Sequence, residues 1–438
     1  MKIKRFEVTG LHGINENLFL DFNEDLNILS GRNGAGKTTI IKLMWYLISG
    51  NFDKAVAEIK FSSAILITDK YELNVEINFD NKDKPFSSAL KVFEIDALKL
   101  KDIENNEIFR KITKTESKTN MAWFVAQYID SSFFMPTFRM IEGGFTTEKY
   151  DIKHDVIKEF YVSLNNENDF NDIENSLKKL SNNLTNQNHK FITSISAKDI
   201  DIFLVKKYAE IMKRVNHNQA ENLQLLSNKI KLMMKEDKSD KDKDWLKNAS
   251  NRDKEIRIEA KLLNEPLGKM KSAISDFMPT FRIIFDEKIY FAKVSENDSY
   301  EIIIDDFHDD DHLMFDEDPY PFEQDLHPDE HDQFDDDDPF LFDDEDYKSS
   351  YLTINNLSAG EKQLLTFVAY NIFHNDTIFF IDEPELSLHV DWQSKLFSLL
   401  KEQNPSNQFI ISTHSPFIYS LFPDKELVID YDKGCSEF

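Results

Sequence analysis

"ILSGRNGAGKTTIIKLMWYLI" occupies Ile28–Ile48, and the nine residues Gly31–Thr39 at its centre decide how the rest of the chain is read. The apolar run ahead of them, Leu26–Ser30, predicts a buried strand, and the apolar spacing after them predicts a helix. Between the two stands the pattern G-x-x-x-x-G-K-[ST], and its spacing follows from a task. Glycines let successive amide N–H groups turn inward onto anionic oxygens, at the start of a helix whose N-terminus favours negative charge. The chain has only 11 glycines, and three of them fall within Gly31–Gly36. In this pattern Lys37 reaches the β and γ phosphates of a nucleotide, and Thr38 offers its hydroxyl to Mg²⁺. Gly31, Arg32, Asn33, Gly34, Ala35, Gly36, Lys37, Thr38 and Thr39 are therefore the expected phosphate-binding residues.

A second element lies more than 300 residues downstream. In "TIFFIDEPE" (Thr377–Glu385) the apolar residues Ile378–Ile381 predict a fully buried, parallel-type strand. Asp382 and Glu383 stand at its C-terminal end, where open α/β sheets bind their ligands. Asp382 suits holding Mg²⁺ through water, and Glu383 suits orienting or deprotonating an attacking water. An acidic pair after a strand is common, but in a chain with the glycine loop it specifies a nucleotide site.

"NLSAGEKQ" (Asn356–Gln363) and "ISTHSP" (Ile411–Pro416) narrow the class. With these motifs in order, the sequence resembles the ABC-type ATPase superfamily, in its SMC-like, RecF-like and OLD-like branch, over about residues 1–145 and 285–425. The resemblance implies ATP and Mg²⁺ as cofactors and an α/β fold: an ABC-type head with a mixed-sheet nucleotide-binding core, an antiparallel β lobe and an inserted helical domain. It implies at least a homodimer, in which Ser358 and Gly360 contact the γ-phosphate held by the opposite copy. By the same resemblance His414 is the histidine that senses that phosphate, and "PELSLHVDWQ" (Pro384–Gln393) is the D-loop crossing the interface. The family's Mg²⁺-binding glutamine has no counterpart in "SSFFMPTFRMIEGGF" (Ser131–Phe145), because Gln127 falls earlier, in a helix-like stretch. Arg139 is the basic residue available there, for phosphate or for a structural ion pair.

"PTFRMIEGGF", "DEPELSLHVDWQ" and the modest length carry a narrower resemblance, to anti-phage defence ATPases such as AriA of PARIS systems and PtuA of Septu systems, the former slightly nearer. What this implies is a sensor ATPase that holds a separate nuclease effector and answers to DNA or a phage-encoded trigger. The rival class is a RecF-like or SMC-like repair ATPase that clamps DNA when ATP closes the dimer, and ATP-strengthened DNA binding separates the two. No nuclease activity of its own is expected, since no second acidic or His-rich catalytic set follows His414.

Bulk composition agrees. Of 80 acidic residues 21 lie in Asp305–Tyr347, and the remaining 59 face 52 bases, so the rest of the chain is ordinary in charge at −7. The single cysteine, Cys435, excludes a disulfide framework. With no apolar segment of membrane-spanning length, a cytoplasmic protein without a membrane partner is the expectation. The expected organisation is 1–150 for the first part of the head, 151–276 for a helical insert, 277–304 for further strands, 305–347 for an acidic low-complexity insert and 348–438 for the rest of the head. Val205–Lys235 carries seven bases against two acids, which suits either a solvated helix face or a phosphate-tracking one. "FMPTFR" occurs at Phe134–Arg139 and Phe277–Arg282 with no wider similarity, so it is not read as a duplication.

The acidic run mixes repelling carboxylates with phenylalanines and holds "HDDDH" and "HPDEH", whose prolines and like charges disfavour a metal-binding helix. Two roles remain: a solubilising insert, or a polyanion that competes with nucleic acid for basic surface, its phenylalanines standing in for bases. Joining Asp305 to Tyr347 through a short Gly/Ser linker should keep ATP binding. For a competing polyanion it should also raise basal ATPase or nucleic-acid binding, most at low salt. Unchanged values across a salt series identify a solubilising insert.

Overall fold

The computed structural model describes residues 1–13, 17–77, 86–92, 131–137, 179–192, 197–233, 241–286, 288–294 and 351–429. In chain order the first elements are β1 (Ile3–Thr9), β2 (Asn17–Asp21), β3 (Leu26–Ser30), α1 (Lys37–Ile48), α2 (Phe52–Glu58), β4 (Ser63–Thr68), β5 (Tyr71–Ile77), β6 (Phe86–Val92), β7 (Ser131–Met135) and β8 (His189–Phe191). They are followed by α3 (Ala197–Met233), α4 (Lys241–Phe277), β9 (Phe281–Phe285), β10 (Ile289–Lys293), β11 (Leu352–Thr353) and α5 (Ala359–Phe373). The last are β12 (Thr377–Asp382), α6 (Val390–Gln403), β13 (Gln408–Ser412), α7 (Pro416–Tyr419) and β14 (Glu426–Val428).

The apolar runs become the centre of a six-stranded sheet, ordered β14-β3-β13-β12-β7-β8, whose pairs are all parallel. Successive residues of one strand point to opposite faces, so each run feeds two cores. Ile378, Phe380, Phe134, Leu29 and Ile410 join α1 and the antiparallel strands on one face. Phe379, Ile381, Phe133, Met135, Phe409 and Ile411 join the helices α3 to α6 on the other. There Phe133, Phe379 and Phe409 stand in register across three strands and stack at 5.2 and 5.3 Å between centroids.

Alternating sequences form separate antiparallel sheets. One has the order β2-β1-β4-β5-β6, the other β11-β10-β9. The expected mixture of parallel and antiparallel strands is thus divided between sheets. Gln408, wholly buried, fastens the first lobe to the parallel sheet: its side chain accepts from the Ile3 amide at 2.8 Å and donates to the Ile3 carbonyl at 2.9 Å.

The expected helical insert holds two long helices among its described residues. Its core is a pair of 37-residue helices, α3 and α4, each about 55 Å long at 1.5 Å per residue. Within the stretch expected to be helical, His189–Phe191 instead add β8 to the edge of the main sheet, and Leu184 and Phe191 enter its core. Three residues are too few for a strand pattern to show in sequence. The described residues of the first "FMPTFR" copy, Phe134–Thr137, end β7, whereas the second copy joins α4 to β9. The acidic run lies outside the described residues; β10 and β11, on either side of it, pair antiparallel just ahead of the "NLSAGEKQ" segment.

An aromatic cluster joins the helix pair to the head. Phe203 of α3 stacks on Tyr370 at 4.7 Å and on His374 at 5.8 Å, and Phe133 meets the His374 ring edge-on at 4.7 Å. Burial pulls the His374 imidazole down to about 4; its hydrogen bond with the Tyr370 carbonyl opposes this, and Lys190 and Lys207 add to it. The folded chain therefore favours neutral His374. The stability this contributes is complete above the unfolded value near 6.5 and is lost as pH falls toward 4. Substituting His374→Gln should flatten the fall in unfolding free energy between pH 7 and 4 by up to about 3 kcal/mol, read by denaturant titration at each pH. An equal fall in both proteins contradicts this assignment.

Candidate functional site

The glycine loop leaves β3 and folds back into α1 at the C-terminal edge of the parallel sheet. Gly34 and Gly36 hold φ of +85° and +92°, a left-handed backbone that turns successive amides toward one point. Ala35, Gly36 and Lys37 are buried while Arg32, Asn33, Gly34 and Thr38 face solvent. The Lys37 ammonium curls over the loop, donating to the carbonyls of Gly31 at 3.0 Å and Arg32 at 3.1 Å. It also lies 2.9 Å from His414 Nε2. Burial lowers its pKa, and the charges of Glu383, Asp382 and Glu385 oppose that shift.

β12 delivers Asp382, only 2% exposed, to the same edge. A buried carboxylate needs donors, and three hydroxyls supply them. Thr38 Oγ1 donates to Oδ1 at 2.9 Å and Thr137 Oγ1 to Oδ2 at 2.6 Å, while Ser412 donates to Oδ1 from the adjacent strand. These oxygen donors suit Mg²⁺, which prefers one or two carboxylates, retained waters and substrate phosphates to an all-protein cage. Among the described residues no group of three or more His, Cys, Asp or Glu forms such a cage.

Glu383, next along, has φ +50°, unusual for a residue with a side chain, and its amide donates to the Ser412 carbonyl at 2.9 Å. This turn breaks the strand alternation and begins the loop toward α6. Glu385 Oε1 accepts from the His414 amide at 2.8 Å, so the loop after Glu383 holds the histidine-bearing segment. Gln393 ties both, donating to the Leu388 carbonyl at 2.9 Å and accepting from Ser415 Oγ at 2.6 Å.

Ser358 is exposed and caps α5, whose first turn carries a reciprocal pair: Glu361 N donates to Ser358 Oγ and Ser358 N donates to Glu361 Oε2. Gly360 is buried, and a Cβ there would lie 2.3 Å from the Ser387 carbonyl oxygen. Its lack of a side chain thus answers to the loop after Glu383 in the same chain. Gln363 strengthens that junction by donating to the Pro384 carbonyl at 3.1 Å.

A model of the AAA ATPase domain matches residues 1–419. The chain belongs to this family. Membership carries nucleotide binding and places it among ATPases. Over 93 residues it is 33% identical to the Retron Vc95 probable ATPase of Vibrio cholerae, covering 18% of this chain and 18% of that protein. Over 109 residues it is 30% identical to the Septu protein PtuA of Bacillus thuringiensis, covering 21% of this chain and 27% of the relative. The matched part spans less than a third of either relative's length. Two SMC head domains, one bound to the C-winged helix domain of ScpA and one from Thermotoga maritima, align over 96% of this chain and 92% of theirs. The identities are 10% and 11% and the TM-scores 0.39 and 0.37, a loose likeness.

Of the residues singled out in sequence, Lys37, Thr38, Asp382 and His414 meet by direct contact, and Glu383 acts on Lys37 through its charge. Gly360 packs on the loop after Glu383 at Ser387, and Ser358 caps the same helix. Arg139 and Gln127 lie outside the described residues. Sequence reasoning missed Thr137, Ser412 and Glu385. The rule that found Asp382, a polar residue at the C-terminal end of a buried strand, also points to Ser412 and nearly to Thr137. A Cβ at Gly360 meets backbone, which cannot swing away, so Gly360→Ala should cost about 1–3 kcal/mol or displace the loop after Glu383. Thermal denaturation together with steady-state ATPase measures both. A variant with wild-type stability and turnover contradicts the packing role.

Proposed function

We propose that this chain binds and hydrolyses Mg·ATP at the Gly31–Thr39 loop, and that two copies form a pair of composite sites controlling a separate nuclease effector in anti-phage defence. The observation that carries the nucleotide part is the convergence of Thr38 with Asp382 and of Lys37 with His414, at the end of a parallel sheet. In this reading the loop amides and the Lys37 ammonium take the β and γ phosphates, the phosphate oxygens replacing the Gly31 and Arg32 carbonyls as Lys37's partners. Thr38 and Asp382 would hold Mg²⁺, which when bound neutralises charge developing on the phosphate oxygens. Glu383, aimed by its left-handed backbone, orients the attacking water and accepts its proton. His414, fixed at its amide by Glu385, gives up its contact with Lys37 when the ammonium turns to the phosphates, which leaves its ring free to donate toward the γ-phosphate.

The second copy enters through Ser358. It is exposed at the N-cap of a 15-residue helix; Glu361 takes its amide, while its hydroxyl, which accepts from the Glu361 amide, keeps its own hydrogen to donate to a facing phosphate. Similarity to the Septu protein PtuA and to the Vibrio cholerae retron ATPase supports the defence setting; the separate nuclease effector is part of the proposal. DNA or a phage product is the proposed trigger, and the purified chain is expected to cut neither DNA nor RNA.

Three variants test the assignment. Lys37→Ala should lose nucleotide binding. Glu383→Gln should bind ATP and accumulate as a closed dimer with turnover reduced about 100-fold or more. Ser358→Arg should abolish turnover while leaving nucleotide binding to the single chain intact. Size-exclusion light scattering and phosphate release provide the readouts. Normal turnover by Glu383→Gln removes its catalytic role, and DNA binding that ATP strengthens, without a nuclease partner, favours a repair clamp.

A further inference from the structure

The three hydroxyls on Asp382 are not equivalent. Ser412 stands opposite it in register on the paired strand β13, so its bond is one a parallel sheet edge readily supplies. Thr38 comes from the phosphate loop. Thr137 comes from neither. β7 pairs with β12 through Met135↔Ile381, and Thr137 lies two residues beyond that last pair, where the chain has already left the sheet. From there its hydroxyl returns 2.6 Å to Oδ2, the oxygen that Thr38 and Ser412 do not use.

This divides the carboxylate by function. An ionised carboxylate has about four lone-pair positions and turns about its Cβ–Cγ bond unless both oxygens are held. With Oδ2 held by Thr137, Oδ1 stays turned toward Thr38. We propose that Thr137 is a positioning residue of the nucleotide site, whose hydroxyl fixes the Asp382 carboxylate so that Oδ1 faces the Mg²⁺ position beside Thr38. The inference rests on the Mg·ATP reading above and adds to it a residue at the place where glutamine is missing. It also gives the exit of β7 a direct hold on the metal carboxylate. Withdrawal of Thr137 along the chain frees Oδ2, and the Mg²⁺ requirement rises without any change in the phosphate loop.

The alternative is that Thr137 only satisfies a buried carboxylate. The two differ in what a methyl in place of the hydroxyl does. Thr137→Val keeps the shape and removes the donor, while Thr137→Ser keeps the donor and removes the methyl. Binding of a fluorescent, non-hydrolysable ATP analogue is followed by anisotropy across a Mg²⁺ series, beside the melting temperature of the ligand-free chain. Thr137→Val should need about 10-fold or more Mg²⁺ for half-maximal binding, the usual scale for partners that orient metal ligands, while its affinity without Mg²⁺ stays at the wild-type value. Thr137→Ser should restore the wild-type requirement. If Thr137→Val fails to fold, Thr137→Ala replaces it in the comparison. A Mg²⁺ requirement equal to wild type in the donor-less variant, or a raised one in Thr137→Ser, overturns the proposal. If the intact chain shows no Mg²⁺-dependent nucleotide binding, the nucleotide reading itself fails first.

Discussion

The Asp382 carboxylate is the constraint around which the rest is arranged. It is buried, and a buried charge is tolerated only where donors surround it. Those donors come from the phosphate loop, from the exit of β7 and from β13, so three chain segments separated by up to 374 residues (Thr38 to Ser412) are bound to one group. Thr38 and Ser412 share Oδ1, while Oδ2 has Thr137, so movement of the β7 exit removes that donor from Oδ2. The same arrangement sets hard oxygen donors at the mouth of the loop that Lys37 covers. On the proposed Mg·ATP reading, structural integrity and the capacity to hold the metal nucleotide are properties of one contact set.

Around it, packing supplies the rigidity. The parallel strands divide their side chains between two cores, one holding α1 and the antiparallel lobe and the other holding α3 to α6. The phosphate loop is thereby anchored from behind by α1, whose Trp45 and Tyr46 are fully buried. The front is anchored by the loop after Glu383, which contacts α5 through Gly360 and Gln363 and the histidine segment through Glu385. A displacement of α5 would pass to the loop after Glu383 and through Glu385 to the His414 segment. This connection is short: Gly360 packs directly on the Ser387 backbone, and the Gln363 and Glu385 side chains each bond to a backbone group.

Much of this was legible in the sequence because the signals are local. A glycine loop between apolar runs, and an acidic pair ending one, mark Lys37, Thr38, Asp382 and Glu383 in the sequence itself. The alternation of β1, β2, β4 and β5 likewise identified the antiparallel lobe. What stayed hidden depends on contacts distant in sequence. β8 has three residues and owes its place to pairing with β7. Thr137 resembles any loop threonine until β12 is laid beside β7. Gly360 fits a motif expected to face a second copy, and only the neighbouring Ser387 carbonyl reveals why no Cβ is tolerated. Gln408, which joins two sheets, reads in sequence as a polar residue opening a strand.

The central claim is that Asp382 is built for a metal nucleotide and not merely for holding segments together. Replacing it by asparagine preserves its size while removing the charge. The direct measurement is the ATP dissociation constant of Asp382→Asn and of the unaltered chain, by calorimetry with Mg²⁺ and with chelator. The account predicts that Mg²⁺ tightens binding by about 10-fold or more in the unaltered chain and leaves the variant's affinity unchanged. Equal tightening by Mg²⁺ in both proteins would contradict it.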